Sequence, residues 1–591
     1  MSTSSTPASA TAVPNAPVSS PSRYFALRRT FREERLFLLL AIVIGVLSGL
    51  SVVCFRVAIE WSRLRLLGSS VPPTGVRLLL APSLVGLLVG LIVFFIFPKV
   101  RGSGVNQTKA ALYVYNGYIS FRTVIGKFIC SALAIGAGHS LGPEDPSLQI
   151  GAGIASALGR SLKLSREKIR LIAPVGAAAG LAAAFNAPIS AVLFVIEEVI
   201  GRWSAGVLGA VVLSAVAAAV VERWFLGFAP LFRIPALQGF RAAELLAYVA
   251  LGVVGGFASV LFARAISVLR PKLIAMPRWT HAIQPALAGV LIGAIGYFGF
   301  PQVMGAGYEF VDQAIHDQFT WQLLGILAGL KILATTLSFV SGTPGGMFAP
   351  TLFIGAMLGG FVGGVERIAF PHLAGSSAAY ALVGIGVLFA GFLRAPMTSV
   401  FMVLEVSGNY SIIVPVIIAN TIAYLISRSL QPVPLFDMLS RQDGLDLPSM
   451  EEQREVTLVR VEDAMIPPPE TVLIDNMVVE EALKRAENSP SDVLLVRRSP
   501  SGWSTVRKDD LKRLVGEGKP EMTLMSVLAT QLTPILHPDH PLDTALHYIY
   551  DCPLLPVVHR ADSHRLEGVL TMADILRTYR GAVTESVDPR H

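Results

Sequence analysis

Gly142-Pro143-Glu144-Asp145-Pro146-Ser147-Leu148-Gln149-Ile150-Gly151-Ala152 is the stretch that decides the fold, because Pro350-Thr351-Leu352-Phe353-Ile354-Gly355-Ala356 spells its second half again. The offset from Pro146 to Pro350 is 204 residues, and each copy follows a turn-rich run inside apolar sequence. Further on, Ala187-Pro188-Ile189-Ser190-Ala191-Val192 with Val195 and Glu197 is matched by Ala395-Pro396-Met397-Thr398-Ser399-Val400 with Val403 and Glu405, at an offset of 208. Two matches in the same order mean a duplicated membrane unit. Duplicated apolar segments interrupted by Gly and Pro mark transporters whose broken helices aim their ends at a substrate near the bilayer midplane.

Composition agrees. The chain has 591 residues, 53% of them hydrophobic and only 15% charged, well below the charged share of a soluble domain. Apolar stretches such as Leu36 to Ile59, Leu78 to Phe97, Leu245 to Leu269, Ala286 to Phe300, Leu323 to Val340 and Ile412 to Ile426 approach the roughly 20 residues of a spanning helix. Leu148 to Leu158 falls short, which suits a half-helix or re-entrant segment.

Met1 to Pro21 is rich in Ser, Thr, Ala and Pro and has no charged side chain, so it lacks the basic and apolar regions of a signal peptide. Residues 1–33 are expected to form a disordered tail, basic at Arg23, Arg28, Arg29 and Arg32. A second basic cluster runs from Arg160 through Lys163, Arg166, Lys168 and Arg170, and the positive-inside rule puts both on the cytoplasmic side. The expectation is a multi-pass protein of the plasma (inner) membrane, surrounded by lipid bilayer, with both termini cytoplasmic. These flanks account for the net charge of +7, and without zinc-finger or RNA-binding signatures no nucleic acid partner is expected. Cys54, Cys130 and Cys552 are too scattered for a metal motif or a disulfide framework, so no metal is expected. Neither His-Glu-x-x-His nor Gly-x-Ser-x-Gly occurs, and the chain is not read as an enzyme.

The membrane part is expected over residues 34–430, with repeat halves of about 34–220 and 245–430, followed by a linker over 431–455. Beyond it the order β-α-β occurs twice, in residues 456–516 and 522–582, leaving a tail of 583–591. The second unit closes on Gly568-Val569-Leu570-Thr571-Met572-Ala573-Asp574, a strand running into a helix start that Thr571 and Asp574 can cap. This closing run resembles that of CBS domains, which occur in tandem pairs and often hold adenine nucleotides, the Asp meeting the ribose. In the first unit Arg507 stands where Ser or Thr is expected. Two readings of Thr571 and Asp574 therefore stand side by side: nucleotide ligands, or a helix cap and nothing more.

Three Gly- or Pro-bearing runs lead into apolar helices: Gly102-Ser103-Gly104-Val105-Asn106, Gly142-Pro143-Glu144-Asp145-Pro146, and Gly345-Gly346-Met347-Phe348-Ala349-Pro350. A helix start carries free amides and a partial positive charge, so within lipid it attracts an anion without needing a full cation. One such run alone is better read as a loop; three of the same design point to an anion. Apart from Arg101 no Lys or Arg adjoins them, which fits an anion that passes through.

These runs, with Phe185-Asn186-Ala187-Pro188 to Glu197-Glu198, resemble the CLC family of chloride channels and proton-coupled chloride transporters, over roughly Glu34 to Leu439. The resemblance implies a mainly α, polytopic membrane protein with an inverted (antiparallel) internal repeat and broken helices, plus a cytoplasmic α/β CBS pair. It implies one pore per subunit of a homodimer. By the same resemblance the Ser103 hydroxyl and the amides of Met347 and Phe348 coordinate chloride, Glu144 is the external gate and proton acceptor, and Glu198 is the internal proton relay. Chloride and protons are the implied partners, and no cofactor is implied beyond an adenine nucleotide at the CBS pair.

Physical reasoning supports the gate: a carboxylate beside helix N-termini mimics a halide, so the two compete for one place. Glu197 and Glu405 are repeat mates and read as structural acids that satisfy backbone amides. The mate of Glu198 is Val406, and an acid that breaks the repeat suits an asymmetric task. Asp145 departs from the family's glycine; it either disturbs Glu144 by like-charge repulsion or caps the following helix, and capping is preferred. Asn106 replaces the family's proline. Phe436 stands where a tyrosine usually donates to the central chloride, a loss of roughly 1 to 3 kcal/mol if nothing replaces it. Ser103 favours chloride over nitrate. The leading reading is proton-coupled chloride antiport with a glutamate gate; the alternative is a passive chloride channel gated by Glu144 alone.

Overall fold

The computed structural model describes residues 21–587 apart from 71–72, 74, 163, 165, 202–204, 228–230, 233, 236–243, 372–374, 446, 448–458, 500–501, 529–531, 551 and 561. The chain divides into two compact units, residues 1–448 and 449–591. In the first, eight helices among the described residues are long and apolar enough to cross a membrane.

The helices of its first half are Pro21–Leu66, Arg77–Phe95, Gly104–Tyr113, Phe121–Gly136, Glu144–Ser161, Arg166–Phe185, Pro188–Phe194 and Ala205–Leu226. The second half repeats the order with Leu245–Ile274, Gln284–Tyr297, Tyr308–Ile315, Trp321–Val340, Phe348–Ala369, Ser377–Leu393, Pro396–Ser407 and Ile413–Leu430. Local chemistry sets the breaks. Pro188 and Pro396 each open a helix at a position where a missing N–H costs nothing, and Gly102, with φ of 93°, turns the chain into the helix that Ser103 caps. Residues 21–33, expected in the tail, belong to the first helix, while residues 1–20 lie outside the described residues.

Contacts between repeat mates establish how the halves are related. Gly142 and Gly346, mates in the duplication, exchange both backbone hydrogen bonds at 2.8 Å, which a residue and its mate can do only on a two-fold axis. The helices Arg77–Phe95 and Gln284–Tyr297 are mates that touch along glycines. A Cβ on Gly86 would meet Pro285 O at 2.5 Å and one on Gly90 would meet Ala282 O at 2.1 Å, while Gly289 faces Pro82 and Gly293 faces Leu78 in return. As one helix ascends the other descends, so the repeat is inverted. Small residues allow this close approach, the usual basis of helix packing where lipid supplies no hydrophobic drive.

The duplication also disposes of two buried lysines. Lys127 Nζ donates to Val100 O and Gly102 O at 3.3 and 2.7 Å; its mate Lys331 donates to Val303 O and Gly305 O at 2.9 and 2.7 Å. Each ties the loop before a short helix to the next long one, a structural use of a buried cation.

The segment expected as linker from residue 431 opens with the helix Leu435–Gln442, whose Leu435, Phe436 and Leu439 are buried in the core of the membrane unit. The second unit contains the expected repeat. Strand β1 (Val472–Ile474) runs parallel to β2 (Val493–Arg497), which pairs antiparallel with β3 (Trp503–Arg507). In the second copy Leu536 makes a parallel bridge to β4 (Leu555–His559), itself antiparallel to β5 (Asp562–Leu570). Leu495 and Trp503 of the first copy pack with Leu554, Val558 and Val569 of the second, and Trp503 Nε1 donates to Ser563 O at 2.8 Å.

Candidate anion and proton site

The bridge between Gly142 and Gly346 places two helix starts, Glu144–Ser161 and Phe348–Ala369, on either side of the two-fold axis in the middle of the unit. Glu144 begins the first helix and is fully buried. Its Oε2 accepts a hydrogen bond from the Ala349 amide at 3.3 Å, while Oε1 has no hydrogen-bond partner among the described residues. A carboxylate thus engages one of the free amides in the first turn of Phe348–Ala369, a place that favours an anion. Met347 is the N-cap residue of this helix and Phe348 its first residue, so both directly precede the amide that Glu144 engages.

Space for the carboxylate comes from glycine. A Cβ on Gly142 would lie 2.3 Å from Glu144 Oε2. Pro143, one residue before Glu144, lines a cavity of about 760 Å³ together with Arg56, Glu60, Trp61, Gly305 and Glu309.

Phe348 and Phe436 are brought together from distant segments, with ring centroids 6.4 Å apart, and Phe194 packs against both. The Phe436 ring presents no donor. Its carbonyl instead accepts from Asn106 Nδ2 at 3.0 Å, so the two departures from the family pattern meet each other and Asn106 pins the helix Leu435–Gln442.

Asp145 corrects one expectation. It does not cap the helix that follows it. Its Oδ1 accepts from the Ser103 hydroxyl at 3.1 Å and from the Val105 amide at 2.9 Å, and its Oδ2 accepts from the Gly104 amide at 2.9 Å. It therefore caps the helix Gly104–Tyr113, some forty residues back, and engages the Ser103 hydroxyl that was expected to face chloride. The reason is geometric: Gly104 and Gly346 are open enough to let the Asp145 backbone and Cβ pass at contact distance.

Glu198 lies in a π-helical turn, Val195–Ile200, a widened form that recurs at functional sites. Its Oε1 is 2.7 Å from Lys109 Nζ, and the same ammonium is 3.1 Å from Asp437 Oδ1. All three are buried. Lys109 and Asp437 were missed in the sequence. The signal was there for Lys109, a lone charged residue in the helix Gly104–Tyr113, since a buried ammonium needs acids or carbonyls around it.

Glu197 and Glu405 behave as the repeat predicts. Glu197 accepts from the Met397 and Thr398 amides at 3.4 and 3.0 Å and from Thr398 Oγ1 at 2.8 Å; Glu405 accepts from the Ile189 and Ser190 amides at 2.9 and 2.7 Å and from Ser190 Oγ at 2.5 Å. Each half caps a proline-started helix of the other. In the second unit Thr571 and Asp574 form a reciprocal cap: the Thr571 amide and hydroxyl donate to Asp574 Oδ2 at 3.1 and 2.5 Å, and the Asp574 amide donates to Thr571 Oγ1 at 3.4 Å.

An inverted repeat of broken helices, with helix starts converging on buried carboxylates at its two-fold axis, defines a multi-pass membrane protein built around an internal ion site. Comparison with known proteins agrees. The voltage gated chloride channel family matches residues 85–428 and the CBS domain family residues 530–581, and the chain belongs to the former, the CLC family. It is 33% identical over 63% of its length to a ClcB-like chloride channel protein of Ralstonia nicotianae, covering 87% of that protein. It is 31% identical over 71% of its length to an H(+)/Cl(-) exchange transporter ClcA of Salmonella arizonae, covering 92% of it. Among solved structures, a slow cyanobacterial Cl-/H+ antiporter superposes with a TM-score of 0.64 at 26% identity, over 69% of this chain and 98% of that one.

Proposed function

We propose that this protein exchanges chloride for protons across the membrane, with Glu144 as the shared gate and Glu198 as the internal proton relay. The observation that carries the reading is the Glu144 carboxylate accepting from the Ala349 amide in the first turn of Phe348–Ala369. Chloride reaching that helix start displaces the carboxylate, and a displaced carboxylate takes up a proton from the cavity beside Pro143. Proton and anion traffic are linked because one place serves both. Glu198 differs from its repeat mate Val406 and adjoins a buried cation, which suits a proton station that the anion route does not use. The relatives named as exchangers support antiport over a passive channel.

The two ends of the path, the homodimer and the cytoplasmic placing of both termini belong to the same proposal and follow the family resemblance. The test is a chloride gradient across proteoliposomes holding the purified protein. Uphill proton movement is expected, lost in both Glu144→Gln and Glu198→Gln while chloride flux continues. Chloride flux without any proton signal from the unaltered protein would reject antiport in favour of the channel.

A further inference from the structure

We propose that Asp145 is a built-in anion that holds the Ser103 end of the passage in place of chloride, so that mobile chloride is bound at the Met347–Ala349 helix start and not at Ser103. The inference rests on the reading of this passage as an anion route and adds the residue that sets how many anions it holds.

Two consecutive acids diverge to two different helix starts. Glu144 reaches the Ala349 amide at 3.3 Å, and Asp145 reaches the Gly104 and Val105 amides at 2.9 Å each and the Ser103 hydroxyl at 3.1 Å. Among the described residues Glu144 makes one such contact and leaves Oε1 without a partner; Asp145 makes three and uses both oxygens. The first is held loosely enough to leave and the second is not. A carboxylate fixed by three charge-assisted bonds, on a tether of one residue, outcompetes a dilute halide for the same amides.

A separate observation agrees. A halide at Ser103 needs donors around it, and Phe436, which stands where the family's tyrosine would donate, has no hydroxyl to give. The hydroxyl of Ser103 is committed and that of a tyrosine is missing, so neither side chain donor remains for chloride. The pair also breaks the repeat. Val100-Arg101-Gly102-Ser103-Gly104 aligns with Val303-Met304-Gly305-Ala306-Gly307, and Asp145 aligns with Ala349, so the second half carries alanine at both places. An acid and a hydroxyl present together in one half and absent together from the other act as a unit. Gly346 completes it, because a Cβ there would stand 2.6 Å from Asp145 Cβ.

Anomalous diffraction from crystals grown in bromide tests this directly, without relying on transport. The unaltered protein is expected to show no bromide in contact with Ser103 Oγ and the Gly104 and Val105 amides. Asp145→Gly is expected to gain one there, and chloride titration by calorimetry to gain one anion per chain. Asp145→Asn keeps the size, loses the charge and is expected to gain the same peak at higher bromide, should the glycine variant not fold. Bromide at Ser103 in the unaltered protein overturns the proposal, as does the failure of a folded variant to gain one. If proteoliposomes carry no chloride the transport reading falls, while the bromide maps still decide what Asp145 does.

Discussion

Lys109 and Glu198 form a buried ion pair, 2.7 Å from Nζ to Oε1, in a region where a charge without a partner is costly. Asp437 shares the ammonium at 3.1 Å, so one cation holds two acids from segments far apart in the chain. Lys109→Met leaves both carboxylates without their counter-charge, at a cost of about 3 to 5 kcal/mol for a broken buried pair. The expected result is a lower unfolding temperature in detergent and proton pumping reduced at least tenfold, with chloride flux retained. Lys109→Arg keeps the charge and is expected to pump better than the methionine variant. Wild-type proton pumping by Lys109→Met would remove the pair from the proton route.

Glu197 sits beside Glu198 in sequence and does a different job. Its oxygens satisfy the Met397 and Thr398 amides, as those of Glu405 satisfy Ile189 and Ser190. Glu197→Gln or Glu405→Gln is expected to lower stability by about 1.5 to 3 kcal/mol, the worth of a hydrogen bond to a charged group. The number of chlorides moved per proton should not change, whereas Glu198→Gln is expected to abolish proton movement. Loss of coupling in Glu405→Gln would show that these caps are not merely structural.

The contrast between these neighbours shows what the sequence made legible. Aligning the chain with itself separated Glu197, which has an acidic mate, from Glu198, which has an apolar one. What it could not supply was contact between segments unrelated by the repeat. Lys109 is 89 residues from Glu198 and 328 from Asp437, and Asp145 chooses a helix 40 residues back over its own. Such choices depend on which helix start the inverted packing brings near, and no local pattern encodes that. The linker boundary failed for a related reason: Leu435–Gln442 has polar sequence around it and is buried only because Asn106, Lys109 and Phe348 meet it from elsewhere.

For the second unit, Thr571 and Asp574 satisfy each other, and Asp574 Oδ1 also accepts from Arg577 at 3.0 Å. This favours the capping reading over the nucleotide one. Thr571→Ala is expected to cost about 1 kcal/mol, typical of a lost N-cap. Calorimetry with ATP, ADP and AMP is expected to show no heat that depends on Thr571. A nucleotide that binds the unaltered chain and is lost in Thr571→Ala would restore the ligand role.

Gly142 offers the sharpest test of the gate proposed at Glu144. It is not among the left-handed glycines, so its value is space and not backbone freedom. A Cβ at this position would lie 2.3 Å from Glu144 Oε2 and 2.8 Å from Ala349 Cβ, distances that force one of them aside. The cheaper movement is rotation of the Glu144 side chain, since Ala349 is fixed in a buried helix start. Gly142→Ala is therefore expected to drive the carboxylate off the Ala349 amide and leave that place to chloride. Proton movement should fall at least tenfold while chloride still passes, and adding Glu144→Gln should change nothing further, because the carboxylate is already out of play. If the double variant loses more coupling than Gly142→Ala alone, the carboxylate was still on the amides and steric displacement of the gate is wrong.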